Sequence, residues 1–315
     1  MTTGSALDGG RPVPRLDHVM VLLDEPAYRS AADSGFLAQR FGRTKRKDAD
    51  SSLAGQYSTL GVAGRNTLVE CFGTGLPSTS PITAGLVFSF EEPGSSPAAR
   101  GLLDASGTVV HHYDLVRRAV EGSDERQPWY HLISVGLGEA SPVLLFLNEV
   151  TPEYFDAIGA RTAPDGSMPR SAYLDATLGT PQDGPRLLRD VVGVTLALRP
   201  ARAAAIAAAL AAFGYTSTPV DVGLSVEGYG LRLLLTYTEN SAERVLEIEM
   251  DLADPPAGGI PDQAAFDFGE TSRLVVERGT ARWYFDEPRD SKADAPLGDV
   301  PSLPSLPDSA GTAGA

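Results

Sequence analysis

The chain has 315 residues, of which 42% are hydrophobic, so it is long enough to bury a substantial core in two or three compact units. Its formal net charge of -15 opposes binding to nucleic acid or anionic lipid, because phosphate groups would be repelled. The single cysteine, Cys71, excludes an internal disulfide and a thiolate zinc cluster. We therefore expect a small-molecule partner, and neither nucleic acid nor a membrane.

Both ends of the chain differ in composition from the rest. The first residues, MTTGSALDGGRPVPR, lack the apolar stretch of a signal peptide, and no run of about 18 apolar residues exists to span a bilayer. These features predict a cytoplasmic protein. Residues 1–14 and 287–315 are rich in Gly, Pro and small polar residues, which predicts disordered tails.

Residues 15–75 show a strand, helix, strand pattern that predicts a βαβββ unit. LDHVMVLLD has the apolar and β-branched content of a strand, and Asp24 and Pro26 are start signals for a helix over AYRSAADSGFLAQRFG. The polar segment RTKRKDAD follows. QYSTLGV and NTLVECFG then flank the turn AGRN as a hairpin.

The same order recurs twice. In residues 82–150, ITAGLVFSF precedes a weak helical stretch, SPAARGLLDA, and three strand-like segments, TVVHHYDLVRR, WYHLISVG and VLLFLNEV. Residues 151–189 form a connection with a short helix around SAYLDATLG. In residues 190–286, VVGVTLALR precedes the alanine-rich helix ARAAAIAAALAAFGY and the strands GLRLLLTYT, RVLEIEMDL and RLVVERGTARWYFDE. The prediction is an α+β fold of repeated βαβββ modules, two of them paired plus a third.

Three acidic or imidazole side chains stand out within these strands. His18, Glu70 and Glu149 lie in the middle or at the end of apolar strands, where an unpaired charge is costly. They predict a metal site, and one imidazole with two carboxylates suits Fe, Mn, Ni or Zn. The alternatives are a core role for His18 and a solvated strand end for Glu149.

The acid-base candidates are His131, Tyr57 and Tyr130. His131 lies in WYHLISVG, the strand before the one that ends in Glu149, and an imidazole titrates near neutral pH. One alternative is that His131 completes the coordination of the metal. The other is that it is a packing residue beside Trp129 and Tyr130, in which case Tyr57, Tyr130 or a metal-bound water takes the acid-base role.

Repeated βαβββ units with a strand histidine and a glutamate in the last strand resemble the vicinal oxygen chelate superfamily, which includes glyoxalase I, bleomycin-binding proteins and extradiol dioxygenases. PWYHLISVG, LLFLNEVTPEYFDAIG and LLRDVVGVTLAL are similar to an uncharacterised bacterial branch of it. The resemblance implies a cup built by two modules, with metal ligands on the first and last strand of each. Those positions are His18, Glu70, Ala84 or Gly85, and Glu149, so the histidine of the second module is missing.

The resemblance implies a metal-dependent lyase, isomerase or dioxygenase acting on a small oxygen-bearing metabolite. The alternative is a metal-free binding protein, such as a drug-sequestering resistance protein. In the third module Gly193 stands where the histidine would align, and Glu247 and Glu249 share their strand with Arg244, which indicates a solvated face. We therefore expect a structural third module. Because it lacks a pair, its sheet should be covered by a second copy in a homodimer or, alternatively, by the first two modules of the same chain.

Overall fold

The computed structural model describes residues 10–51, 55–73, 82–119, 126–179, 186–239, 242–253 and 263–286. These residues form two mixed sheets of eight strands each, with few helices. The architecture is β-rich α+β, which confirms the expected class.

The first sheet contains the strands of the N-terminal half. They are β1 (Arg15–Leu22), β2 (Arg43–Ser51), β3 (Gly55–Ala63), β4 (Leu68–Phe72), β5 (Ala84–Phe90), β6 (His111–Ala119), β7 (Arg126–Val135) and β8 (Val143–Val150). Their spatial order is β2-β3-β4-β1-β5-β8-β7-β6. The strand β1 is parallel to β4 and antiparallel to β5, and β5 is parallel to β8, so these four strands form the centre of the sheet.

The polar segment RTKRKDAD forms most of strand β2 and pairs with β3. It lies at the edge of the sheet, where charged side chains are compatible with a strand because one side of the strand has no neighbour. The expected single helix is also divided in two. It consists of α1 (Glu25–Ala32) and a short π-helical turn (Leu37–Phe41).

The second sheet contains β9 (Leu188–Leu198), β10 (Thr216–Val220), β11 (Gly223–Gly228), β12 (Leu231–Tyr237), β13 (Arg244–Leu252), β14 (Gln263–Phe268), β15 (Ser272–Glu277) and β16 (Thr280–Phe285). Their order, β10-β11-β12-β9-β13-β16-β15-β14, repeats that of the first sheet. The expectation of a single βαβββ unit in residues 190–286 was therefore wrong, because the segment holds twice as many strands. The unpaired module from which a homodimer was inferred does not exist.

One hydrophobic core joins the two sheets. It combines one face of each sheet with the buried sides of α1, α2 (Ser95–Ser106) and α5 (Pro200–Ala211). Two further helices, α3 (Pro152–Ala157) and α4 (Arg170–Leu178), belong to the connection and pack against the opposite face of the first sheet. We call this opposite face, which carries Met20, Phe72 and Phe146, the cup face.

Polar contacts also cross between the sheets. The Asp190 carboxylate accepts hydrogen bonds from the Asn66 and Thr67 backbone N–H groups at 2.7 and 3.1 Å. The Tyr215 hydroxyl donates to the Pro14 carbonyl at 2.8 Å. Val13 and Pro14 are buried, so the tail expected over residues 1–14 was wrong for this part. Residues 1–9 and 287–315 lie outside the described residues. No described helix is both long and apolar enough to cross a membrane.

Candidate functional site

An irregularity in β1 brings two adjacent side chains to one place. The pairing of β1 with β5 shifts between Leu16 and His18, which makes Asp17 the extra residue of a bulge. In a regular strand, neighbouring side chains point to opposite faces. The bulge instead lets the Asp17 carboxylate reach its neighbour, and Asp17 Oδ1 lies 2.6 Å from His18 Nδ1.

Asp17 is also paired with a cation from the connection. Arg170, the first residue of α4, places a guanidinium nitrogen 2.5 Å from Asp17 Oδ1, and both side chains are buried. Burial by itself would raise the pKa of Asp17. The charge of Arg170, followed by hydrogen bonds from His18 and Ser89, outweighs burial and holds the pKa of Asp17 below its ordinary value. The carboxyl group is therefore ionised near neutral pH.

Glu70 faces the other ring nitrogen of His18. It lies on β4, alternating with core residues Val69 and Cys71, and its Oε2 is 3.7 Å from His18 Nε2. The Glu70 side chain is 5% exposed and that of His18 is 14% exposed, so His18 keeps some contact with solvent. His18 and Glu70, which the sequence analysis assigned to one metal site, thus lie side by side.

Two polar residues that the sequence analysis missed lie on β5 and β8, the next two strands after β1 in the sheet, on the same face as His18 and Glu70. Ser89 on β5 and Asn148 on β8 are in register, and each alternates with core residues, so both point to the cup face. Asn148 Oδ1 is buried and has no hydrogen-bond partner. We call Glu70, His18, Ser89 and Asn148 the polar row, because they occupy the four adjacent strands β4, β1, β5 and β8.

Glu149 does not join this site. It alternates with the cup-face residue Asn148, so its carboxylate points to the helix side of the sheet. There it accepts hydrogen bonds from the backbone N–H groups of Gly94 at 2.5 Å and Ser96 at 2.6 Å, at the start of α2. Gly94 is the N-cap residue and has no side chain to do this. Glu149 therefore caps a helix.

The number of ligand side chains at this site decides whether it fits the metal centre expected from the sequence. Catalytic zinc sites typically use three protein ligands and leave a position open for water or substrate. His18 and Glu70 supply two, and Glu149 is on the other side of the sheet. Within the described ranges, no three His, Cys, Asp or Glu side chains are grouped closely enough to hold a metal ion. The residues do not fit the three-ligand centre predicted from the sequence.

The expected acid-base residues are also separated. His131 is paired with Glu149 in register and shares its helix-side orientation, and His131 Nδ1 lies 2.7 Å from the Tyr113 hydroxyl. Tyr130 points to the cup face and belongs to its apolar cluster. The side chain of Tyr57 lies outside the described part of the chain. His131 and Tyr130 therefore cannot act together, since the sheet lies between them.

A second candidate site lies on the second sheet. An open groove of about 520 Å³ occupies the face opposite the shared core, with Gly193, Thr195 and Leu234 among its lining residues. Its charged lining residues are Asp221, Glu227, Arg232, Glu247, Glu249 and Arg282. The sequence interpretation gave this unit a structural role. The signal that could have located the groove is charge at alternate positions of β13, which puts Glu247 and Glu249 on one face.

Comparison with known proteins identifies a family. The sequence model of a family of unknown function, DUF5829, matches residues 16–285, and the chain belongs to that family. No curated protein shows significant sequence similarity to the chain.

Several solved structures match parts or most of this chain at very low sequence identity. A hypothetical protein from Staphylococcus aureus is 7% identical, with 81% of this chain and 95% of that chain covered and a TM-score of 0.47. A xylose isomerase-like TIM barrel/4-hydroxyphenylpyruvate dioxygenase fusion protein is 14% identical, with 87% and 49% covered and a TM-score of 0.42. Methylmalonyl-CoA epimerase from Mycobacterium tuberculosis is 16% identical, with 49% and 95% covered and a TM-score of 0.29. The chain thus spans about half of the fusion protein, and all three TM-scores are below 0.5.

Proposed function

We propose that this member of the DUF5829 family binds a small oxygen-bearing molecule at the polar row and transfers a proton to or from it through His18. The observation that carries the proposal is the pair of carboxylates on the two ring nitrogens, with Asp17 2.6 Å from Nδ1 and Glu70 3.7 Å from Nε2. An imidazole held in this way is a suitable acid-base group, because one ring nitrogen is fixed by a carboxylate and the other is left to exchange a proton with a bound molecule.

Asp17 determines which nitrogen is reactive. An ionised carboxylate can accept but not donate a hydrogen bond, so neutral His18 carries its proton on Nδ1 and has its lone pair on Nε2. Nε2 is the nitrogen that faces Glu70. Asp17 is thus a positioning residue, and Arg170 keeps it charged and in place.

The separation between His18 and Glu70 leaves a position for a substrate atom. A distance of 3.7 Å is too long for a direct hydrogen bond. A substrate hydroxyl group can nevertheless lie beside this pair and donate its one hydrogen to His18 Nε2 at about 2.8 Å, with its oxygen outside contact distance of the Glu70 carboxylate. His18 Nε2 would accept the hydroxyl proton, and the negative charge of Glu70 would stabilise the imidazolium that forms.

A metal-dependent lyase, isomerase or dioxygenase of the vicinal oxygen chelate type is the second candidate. Its support is the same facing pair, because His18 Nε2 and Glu70 Oε2 could both be ligands of one ion. It needs a third protein ligand, which the described residues do not supply. The acid-base function is the one that needs no further side chain.

The tautomer of His18 tests the proposal without a known substrate. The chain has four histidines, so nitrogen NMR of the ring signals can be assigned by replacing each in turn. We expect the Nδ1–H tautomer for neutral His18 in the wild type, and its loss in Asp17→Asn. A predominant Nε2–H tautomer in the wild type would refute the assignment of Nε2 as the proton acceptor.

Screening with small hydroxy acids and oxo acids then tests function. For any compound that is converted, His18→Gln should lower turnover by roughly 10²-fold, whereas His112→Gln, at an exposed histidine of β6, should leave it unchanged. Equal turnover by wild type and His18→Gln would contradict the proposal. Metal analysis of protein purified without chelator separates the two candidates. One tightly held divalent metal per chain, lost in both His18→Ala and Glu70→Ala, would favour the metal-dependent enzyme.

A further inference from the structure

We infer that the groove on the second sheet is a separate binding site for a small zwitterion of the amino-acid class. Its carboxylate would bind Arg282, and its ammonium group would bind Glu247. The groove has a volume of about 520 Å³, within the range of small-molecule sites, and it is open to solvent. It is on a different sheet from the polar row, so this inference does not depend on the proposed function.

Of the two arginines that line the groove, Arg282 lies farther from the neighbouring carboxylates. Its Nε lies 3.6 Å from Glu247 Oε1, and a terminal nitrogen lies 3.8 Å from Glu249 Oε1. Both distances are longer than a hydrogen bond. Arg282 is 51% exposed, so a ligand carboxylate can reach its N–H groups. A hydrogen bond with Tyr284, followed by the two glutamates, raises the pKa of Arg282, and the guanidinium stays charged.

Arg232 has a different role in the same groove. Its guanidinium binds Glu249 Oε2 at 2.7 Å, which is a true charge-assisted hydrogen bond. A Cβ at Gly193 would lie only 3.0 Å from the same Glu249 oxygen and 3.1 Å from Glu249 Cβ. Glycine at this position therefore leaves room for Glu249 to lie over β9 and meet Arg232. The pair is fixed, whereas Glu247 and Arg282 remain available to a ligand.

The mixture of charges selects a ligand that carries both signs. An isolated carboxylate would approach Arg282 and meet the carboxylates of Glu247 and Glu249 at the same time. An isolated amine would approach Glu247 and meet the guanidinium. An amino acid carries a carboxylate and an ammonium group side by side, so the carboxylate can bind Arg282 while the ammonium group binds Glu247. Because four carboxylates and two guanidiniums line the groove, a ligand with an additional positive charge should bind most tightly.

Titration calorimetry of the full chain at low salt, with L-lysine, L-alanine and L-glutamate as probes, tests this inference. We expect affinity to fall in that order, with dissociation constants for L-lysine of about 0.1 to 1 mM, because the charges are partly exposed. Acetate and methylammonium should each bind at least tenfold more weakly than L-alanine. Equal binding of acetate and L-alanine, or no binding of L-lysine at 10 mM (about ten times the weakest expected dissociation constant), would overturn the inference.

Variants locate the site. Arg282→Gln and Glu247→Gln should each weaken L-lysine binding at least tenfold. Arg273→Gln and Asp267→Asn remove an exposed ion pair of the same sheet outside the groove, at 3.5 Å, and should leave binding unchanged. His18→Gln should also leave it unchanged, which separates this site from the polar row. Binding that survives in both groove variants would mean that L-lysine binds elsewhere and would contradict the inference.

Discussion

Replacing Glu149 by alanine should destabilise the fold because of the helix that it caps. The Ser96 N–H is buried, and leaving it without an acceptor costs about 1 to 3 kcal/mol. The Gly94 N–H is exposed enough to bind water instead, so its loss costs at most about 1 kcal/mol. Removing a negative charge from the N-terminus of α2 adds about 0.5 kcal/mol. We expect a total of about 2 to 4 kcal/mol for Glu149→Ala.

Urea unfolding followed by tryptophan fluorescence measures this loss. Glu149→Gln keeps one acceptor oxygen and should lose about half as much. The matched control is Glu153→Ala, at an exposed glutamate in the first turn of α3, which should change stability by no more than about 0.5 kcal/mol. A Glu149→Ala protein with unchanged stability, or one whose main defect is a lost metal ion, would refute the capping role and restore Glu149 to the metal site.

Three further predictions concern Asp17, Cys71 and Asp190. The folded pKa of Asp17 lies below its unfolded value near 3.8, so Asp17 stabilises the fold above that pH, and this contribution is lost as the pH falls through the folded value. Asp17→Asn removes the contribution and leaves Arg170 without its partner. The free energy of unfolding of Asp17→Asn should therefore be clearly lower than that of the wild type at pH 7 and differ little from it near pH 2. Burial, followed by the charge of Glu70, raises the pKa of the Cys71 thiol, so a disulfide reagent should leave the native protein unmodified at pH 8 and modify one thiol per chain in guanidinium chloride. Asp190→Ala removes the acceptor for N–H groups at the junction of the sheets and should cost about 2 to 4 kcal/mol in urea unfolding, and an unchanged midpoint would contradict its role.

The central strands could be predicted from the sequence, and several peripheral strands could not. Central strands such as β1 and β8 are apolar on both faces, because one face meets the shared core and the other meets the cup-face cluster. The strand β10, TSTPV, is exposed along its whole length, and β2 begins with RTKRK. Nothing in such sequences distinguishes an edge strand from a loop, and both edge strands of the second sheet, β10 and β14, were missed in the sequence analysis.

The candidate site was predicted in part for a related reason. The positions of His18, Glu70 and Glu149 could be identified because charge is rare in apolar strands. The face of the sheet to which each side chain points could not be predicted, because in β8 both alternating sets of residues are apolar before Asn148 and Glu149. The bulge that turns Asp17 toward His18 depends on the pairing of β1 with β5, and no residue pattern within β1 predicts it.

The connection between the halves explains why two sheets with the same strand order carry different surfaces. After β8 the chain forms α3 and α4 over the cup face, where Tyr154 and Tyr173 contribute to a buried cluster and Arg170 reaches Asp17. This cover removes the polar row from most contact with water, which strengthens each electrostatic interaction there. No described segment after β16 covers the second sheet in the same way, and its corresponding face keeps an open, charged groove. A buried polar row suits proton transfer to a held molecule, whereas an exposed groove suits reversible binding of a charged one.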